Sequence, residues 1–205
     1  MKYTGAKLRL CRREGVNLFG SAKYNLKKRK TTPGQHGSNM QRHSEYGKLL
    51  RNKQLLKRSY LMTEKQFSKI VKSTASKYAK NNNVSHDFAL FQFLERRMDV
   101  LILRSGLAQT IMQARQMVVH GHFQLNGVKH NVPSTFLKAG DKITLREGLK
   151  NSPLYAQSAK STVKVPSWIK VDKNAYAVEV LALPQKGEIE THADLLKVIE
   201  FYARA

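Results

Sequence analysis

Apolar positions along this 205-residue chain fall first into helix-like stripes. Ser44 is a good N-cap, and the spacing behind it predicts a helix to about Tyr60, with Tyr46, Leu49, Leu50 and Leu56 among many bases. Thr63-Glu64-Lys65-Gln66 is a capping box: the Thr oxygen reaches the amide three residues on, and Gln66 reaches back. The helix it opens sets Phe67, Ile70, Val71, Thr74 and Tyr78 on one face, and Asn81-Asn82-Asn83 stops it. Ser85 caps a third segment, Asp87 suits its positive end, and Phe88, Leu90, Phe91 and Leu94 follow. These three segments read as a small helical domain whose Phe and Leu faces are core.

The pattern then changes. A helix is predicted through Arg96-Arg97-Met98 to Arg104, stopping at Ser105-Gly106, where glycine supplies the left-handed terminal residue. Thr110-Ile111-Met112-Gln113 reads as a second capping box. The helix behind it buries Ile111, Ala114 and Val118, exposes Gln113, Arg115 and Gln116, and ends at Gly121. Phe123-Gln124-Leu125, Asn126-Gly127 and Val128-Lys129-His130 form a hairpin signal, because Asn-Gly favours a type I′ turn. Gly140-Asp141 turns into the alternating strand Lys142 to Arg146. Residues 152–161 are polar, with room for a short helix. Val165 to Asp172 reads as a strand entering a turn and Ala177 to Leu181 as its partner. Pro184 and Gly187 break the chain, and Thr191 is the expected cap of a last helix with Leu195, Ile199 and Tyr202 on its face.

Charge decides what such a chain meets. Lys plus Arg is 37 against 14 Asp plus Glu, a formal net charge of +23. A hydrophobic fraction of 41% is still enough for a packed core. That balance disfavours an ordinary neutral enzyme and calls for a polyanion, nucleic acid ahead of an acidic membrane surface. Residues 1–60 hold 16 Lys/Arg against 2 Asp/Glu, so more than half the excess lies in the first third. Arg12-Arg13 and Lys27-Lys28-Arg29-Lys30 are the dense clusters, interrupted by Phe19, Tyr24, Gly15, Gly20, Gly34 and Gly37. Like charges this close repel, so residues 1–42 are expected to be largely disordered alone and ordered on RNA. A phosphate backbone would neutralise the arm and release counterions into solution, which drives binding without reading sequence. Thr32-Pro33-Gly34-Gln35-His36-Gly37 is a type II turn, Pro33 presetting φ and Gly34 accepting a positive one. It fits close approach of Gln35 and His36 to an RNA backbone and an ordinary surface turn equally well.

Other chemistry finds little support. Cys11 is the single cysteine, which excludes an internal disulfide and a multi-cysteine zinc site. No apolar run reaches the length of a membrane span, and no apolar stretch follows the N-terminus as a secretory signal would. The acids are scattered, Cys11 has no marked partner His, and phosphate-binding glycine patterns are missing. His120-Gly121-His122 has the alternation of a metal pair but no adjoining Cys or acid. RNA-facing or solvent-exposed imidazoles are the better reading, with no metal and no cofactor.

Folded RNA hides its base edges, so proteins grip phosphates and 2′-hydroxyls with cations on rigid elements. The helix after Thr110 offers its N-terminal amides, with Gln113, Arg115 and Gln116 on its polar face. Arg96, Arg97 and Arg104 precede it; any of them could instead pair with Asp99 or another acid, and at least one is expected to be structural. His120, His122 and Lys129 extend the patch. Arg51, Lys53 and Arg58 are the candidates from the first predicted helix. In the arm they are Arg12, Arg13, Lys27, Lys28, Arg29, Lys30, Gln35 and His36.

Several motifs carry a family resemblance. They are Leu8-Arg9-Leu10-Cys11-Arg12-Arg13-Glu14-Gly15, Pro33-Gly34-Gln35-His36-Gly37, Glu95-Arg96-Arg97-Met98-Asp99 and Arg104-Ser105-Gly106-Leu107-Ala108. Ala114-Arg115-Gln116-Met117-Val118-Val119-His120-Gly121-His122, Asn126-Gly127 and Pro166-Ser167-Trp168-Ile169-Lys170-Val171-Asp172 continue the set. Over essentially its whole length the chain resembles the bacterial form of small-subunit ribosomal protein four, the uS4 family. The middle part alone is less specific, since that small RNA-binding fold recurs in pseudouridine synthases and some tRNA synthetases.

The resemblance implies a structural protein, not an enzyme, that binds the 5′ domain of small-subunit rRNA where several helices meet. It implies nucleation of the subunit body, a contribution to translational accuracy, and in some bacteria repression of its own operon. The implied partners are rRNA, ribosomal proteins three and five, protein twelve as a further candidate, and mRNA where it enters the subunit, in the cytoplasm and without a membrane. Some relatives hold zinc on four N-terminal cysteines; with Cys11 alone, that is not expected, and Cys11 is read as a small, partly buried side chain. The expected fold is α+β: a small helical domain, and an RNA-binding domain of two helices on a small, mainly antiparallel sheet, led by a basic extended arm. The expected boundaries are 1–43 for the arm, 44–93 for the helical domain, completed by a C-terminal helix in 182–205, and 94–181 for the RNA-binding domain around a 94–147 core. An RNA-modifying or tRNA-interacting protein on the same fold is the alternative, and a membrane-surface polycation a third reading.

Overall fold

The computed structural model describes residues 3, 5–26, 30–39, 42–74, 84–155, 164–185, 187–188 and 191–204. The chain divides into two compact units, residues 1–90 with 191–205, and residues 91–190.

Unit 1 holds helices α1 (Lys7–Glu14), α2 (Glu45–Ser59) and α3 (Glu64–Ser73), and closes with the last helix, α7 (Leu195–Arg204); α4 (His86–Glu95) begins in it. Ser44 caps α2 by accepting from the Gly47 amide at 3.2 Å. The Thr63 capping box forms both ways, Oγ1 accepting from Gln66 N and Gln66 Oε1 from Thr63 N, each at 3.4 Å. Phe67, Ile70 and Val71 are buried, as the stripe predicts; Tyr78 lies outside the described residues. α7 packs on α2 and buries Val198 and Phe201, while Leu195, Ile199 and Tyr202 are only half-buried. Its cap is Asp194, which accepts from Leu196 N at 3.0 Å, and not Thr191, whose hydroxyl donates to the Ala193 carbonyl.

The leading segment is not uniformly extended. α1 forms, ends at Gly15 with φ 72°, and fully buries Cys11; Leu18 and Phe19 are buried just behind it. Three apolar anchors within nine residues give this basic stretch a local core. Burial pushes the Cys11 thiol up from its ordinary value.

Unit 2 is two helices on a sheet. α5 (Met98–Arg104) and α6 (Ile111–Val119) pack together. The strands are β1 (Phe123–Leu125), β2 (Val128–His130), β3 (Lys142–Leu145), β4 (Ile169–Asp172) and β5 (Ala177–Val180). They pair antiparallel throughout in the order β2-β1-β3-β5-β4. The hairpin turn is as the sequence demands, Asn126 at φ 50° and Gly127 at φ 83°, so β1 and β2 pair Leu125 with Val128. Met98, Leu101, Ile102, Ala114, Phe123, Ile143, Tyr155, Trp168 and Val178 belong to one continuous core.

The predicted helix through Arg96 and Arg97 is interrupted. Arg97 is extended (φ −69°, ψ 141°), bridges Phe136 and becomes the N-cap position of α5. The Thr110 box is half formed. Thr110 Oγ1 accepts from Gln113 N at 3.2 Å, but Gln113 Oε1 reaches one residue farther back, accepting from Gln109 N at 2.9 Å. Among the described residues no helix is long and apolar enough to cross a membrane.

Candidate nucleic-acid interface

In unit 1, α1, the 31–37 turn and α2 bring arginines together. Arg12 donates through Nε to the Thr31 carbonyl at 2.9 Å and through a terminal nitrogen to the Thr32 carbonyl at 3.2 Å, tying the turn to the helix. The turn closes on itself: Thr32 Oγ1 donates to the Gly37 carbonyl at 3.1 Å, and Gly34 sits at φ 115°, the left-handed side that its place in the turn requires. A Cβ at Gly37 would lie 1.9 Å from the Thr32 carbonyl oxygen, so no other residue fits there. Arg9, Leu10, Arg12, Arg13, Pro33, Gly34, Arg51 and Arg58 line a cavity of about 580 Å³. Two of these arginines, Arg51 and Arg58, share Glu14, whose side chain is only 2% exposed. Arg51 donates to Glu14 Oε1 at 3.3 Å, and Arg58 to the same oxygen. Burial pushes the Glu14 carboxyl up from its ordinary value, against the pull of Arg58, Arg51 and Arg13.

Arg13, Lys30, Gln35 and His36 are exposed, whereas Lys27, Lys28 and Arg29 lie outside the described residues. Lys53 leaves the candidate surface. It is 7% exposed, 2.9 Å from Glu64 and 4.3 Å above the Phe201 ring, because α7 packs across α2 at that point. Glu64 also accepts from Lys57 at 2.8 Å and from the Tyr202 hydroxyl at 2.7 Å. Burial draws its pKa upward, but these three donors together hold it at about 2.

In unit 2 the organising group is Asp99, fully buried at the start of α5. Arg97 forks onto it, Nε to Oδ1 at 3.0 Å and a terminal nitrogen to Oδ2 at 2.7 Å. At 2% exposed, Arg97 is a core residue and cannot reach a phosphate; a buried carboxylate two residues on removes it from the candidate set. Arg115 reaches the same Oδ2 at 3.2 Å yet stays 32% exposed. Arg104 grips buried Glu95 through two bonds of 2.9 Å and is 29% exposed. Arg96 donates to the Leu137 carbonyl at 2.8 Å and lies 5.8 Å from the Phe93 ring centre.

Thr110 and Gln113 are half-buried and used in capping; Gln116 is exposed and meets exposed His120 at 2.6 Å. His122 turns inward. Its Nδ1 is 2.8 Å from the hydroxyl of fully buried Tyr155. Burial pushes Tyr155 up, so it stays protonated and donates, while burial, His120 and Arg146 push His122 down. Lys129 is exposed on β2. The sheet adds Lys142 and Lys170, which oppose Glu179 from either side on neighbouring strands. Among the described residues no group of three His, Cys, Asp or Glu could hold a metal.

Sequence reasoning missed Arg9 and Glu14. The available signal was that Glu14 is the single acid among the first 44 residues. An isolated carboxylate in a cationic run invites the question of which bases it gathers.

Comparison with known proteins agrees with this architecture. Residues 2–95 match the model of the ribosomal protein S4/S9 N-terminal domain, and residues 96–143 that of the S4 domain. The chain is 39% identical over 210 residues to the small ribosomal subunit protein uS4A of Symbiobacterium thermophilum, with 99% of both chains covered. It is 38% identical over 203 residues to uS4 of Rubrobacter xylanophilus and 40% over 211 to uS4A of Alkaliphilus metalliredigens, again covering 99% of each. With that coverage and identity across both units, the chain belongs to the uS4 family of small ribosomal subunit proteins.

Proposed function

We propose that this protein is a structural constituent of the small ribosomal subunit that binds its rRNA directly, in the 5′ domain, and has no catalytic role. In this reading it nucleates the body of the subunit and contributes to translational accuracy. It then lies beside proteins three and five, with protein twelve a further candidate neighbour, close to mRNA, on cytoplasmic ribosomes. The observation that carries the reading is the placement of charge: of a net +23, residues 1–60 supply 16 cations against 2 acids, and most described ones lie at the surface of a folded unit. Such a surface gains affinity by releasing counterions from phosphates, and a rigid one selects the RNA shape it fits. The units act as two grips, an arginine-lined face on unit 1 and the α6 and hairpin face on unit 2. The relatives' names favour this over an RNA-modifying enzyme.

Filter binding to small-subunit 5′-domain RNA across a salt series tests it. Affinity falls linearly on logarithmic axes as salt rises, and unrelated structured RNA of equal length binds more weakly at every point. Equal affinity for both RNAs overturns the specific reading.

A further inference from the structure

We propose that the arginine-lined cavity of unit 1 seats a backbone phosphate of the bound RNA, and that Glu14 is its positioning residue. The inference rests on the RNA-binding reading and assigns it a definite seat. Five arginines, Arg9, Arg12, Arg13, Arg51 and Arg58, line one concavity of about 580 Å³. That is ample for a nucleotide unit, beyond a bare ion. Its remaining lining, Leu10, Pro33 and Gly34, offers no aromatic ring for a base to stack on, so the recognised group is the phosphate.

Five like charges in one hollow repel, and long side chains relieve that by swinging into water. Glu14 opposes this. Its carboxylate is 2% exposed, yet the two arginines it holds remain 31% and 24% exposed. Each uses one terminal nitrogen on Glu14 among the described contacts and has four N–H donors besides that bond. From its buried position the acid makes no contact with a ligand; its charge still opposes a phosphate, and what it supplies against that cost is a guanidinium pair fixed before the phosphate arrives. Arg12 performs the matching task at the rim, where its bonds to the Thr31 and Thr32 carbonyls hold the Pro33-Gly34 wall. Burying a carboxylate against its own preference, shown by the raised Glu14 pKa, is a cost to the free protein that ligand positioning explains.

The test turns on sign. Glu14→Gln keeps the shape and makes the protein more positive. Bulk electrostatics then predicts equal or tighter RNA binding, and loss of positioning predicts weaker. Full-length wild type and variant are titrated with inorganic pyrophosphate by calorimetry and with 5′-domain RNA by filter binding. The expected result is about a tenfold loss for both ligands, the scale of re-immobilising two long side chains. Pyrophosphate should also displace RNA competitively from wild type. Unchanged or tighter binding by Glu14→Gln overturns the proposal, as does pyrophosphate binding that leaves RNA in place. Thermal melting checks the fold. Arg51 and Arg58 have access to solvent, so losing the carboxylate does not strand them. If Glu14→Gln nevertheless unfolds, Arg9→Gln decides, because Arg9 is exposed and its side chain makes no bond among the described contacts. A threefold loss of pyrophosphate affinity supports the seat, and no loss removes it. If wild type shows no preference for 5′-domain RNA while Glu14→Gln still loses pyrophosphate, the RNA reading fails and the anion seat stands. If the preference holds and Glu14→Gln is silent, the reverse follows.

Discussion

Asp99 in unit 2 and Glu14 in unit 1 each accept from two arginines, and each has a carboxylate closed off from water. The outcomes differ. Arg97 follows Asp99 into the core and keeps 2% of its surface, whereas both partners of Glu14 keep a quarter to a third of theirs. The first arrangement pins the extended residue between α4 and α5, where the helix is interrupted. The second holds charge at a surface. An arginine beside a buried acid is therefore not assigned by the pairing; what decides is how much of the guanidinium remains in water.

The largest effect that separates the two is expected for Asp99→Asn. It leaves Arg97 charged, buried and unpaired, and should lower stability by about 3–5 kcal/mol, read from urea denaturation midpoints. A loss comparable to that of Glu14→Gln would erase the distinction. Next comes Gly37→Ala in unit 1. A methyl group 1.9 Å from the Thr32 oxygen forces the turn open, at about 2 kcal/mol, and hydrogen exchange should rise around 31–37 first. An unperturbed turn would contradict the packing described. Arg115→Gln is intermediate by design, since Arg115 shares Asp99 with Arg97 yet stays 32% exposed. It should weaken RNA binding by about 1–2 kcal/mol, with a smaller stability change than Asp99→Asn. If the dissociation constant is unchanged, Arg115 joins Arg97 as a purely structural residue.

The smallest effect is a pH dependence at Glu64. Its pKa of about 2 lies below the unfolded value of 4.5, so its stabilisation is complete above pH 4.5 and is lost as pH falls toward 2. The side chain is 46% exposed, and screening brings the contribution to about 0.5–1 kcal/mol. Wild type and Glu64→Gln should differ by that amount at pH 6 and converge near pH 2. A constant difference across the range would show that the ion pairs are not its source.

Most of the fold was legible because local signals agreed with tertiary demand. The Thr63 box, the Phe67-Ile70-Val71 stripe and Asn126-Gly127 each needed only neighbouring residues to be read. The misses needed distant ones. Arg97 leaves the helix because Phe136, far along the chain, bridges it. Lys53 is withdrawn by Phe201 and Glu64, which periodicity cannot place beside it. The helix in the basic leader was hidden because, of its apolar residues Leu8, Leu10 and Cys11, only Cys11 is buried, and it needs Leu18 and Phe19 from beyond the helix to complete its local core. Of the candidate site, the bases were evident from composition. Which of them face outward was not, because that depends on where the few acids are buried.

Cys11 carries a practical consequence. It is the chain's one thiol, it is wholly enclosed, and its raised pKa keeps it in the unreactive form. A cysteine introduced at an exposed position would then be the sole handle for a maleimide dye, with the natural residue left in place. Fluorophores could be attached one position at a time to either unit, and energy transfer to a labelled transcript would show whether, and in what order, the two units engage RNA.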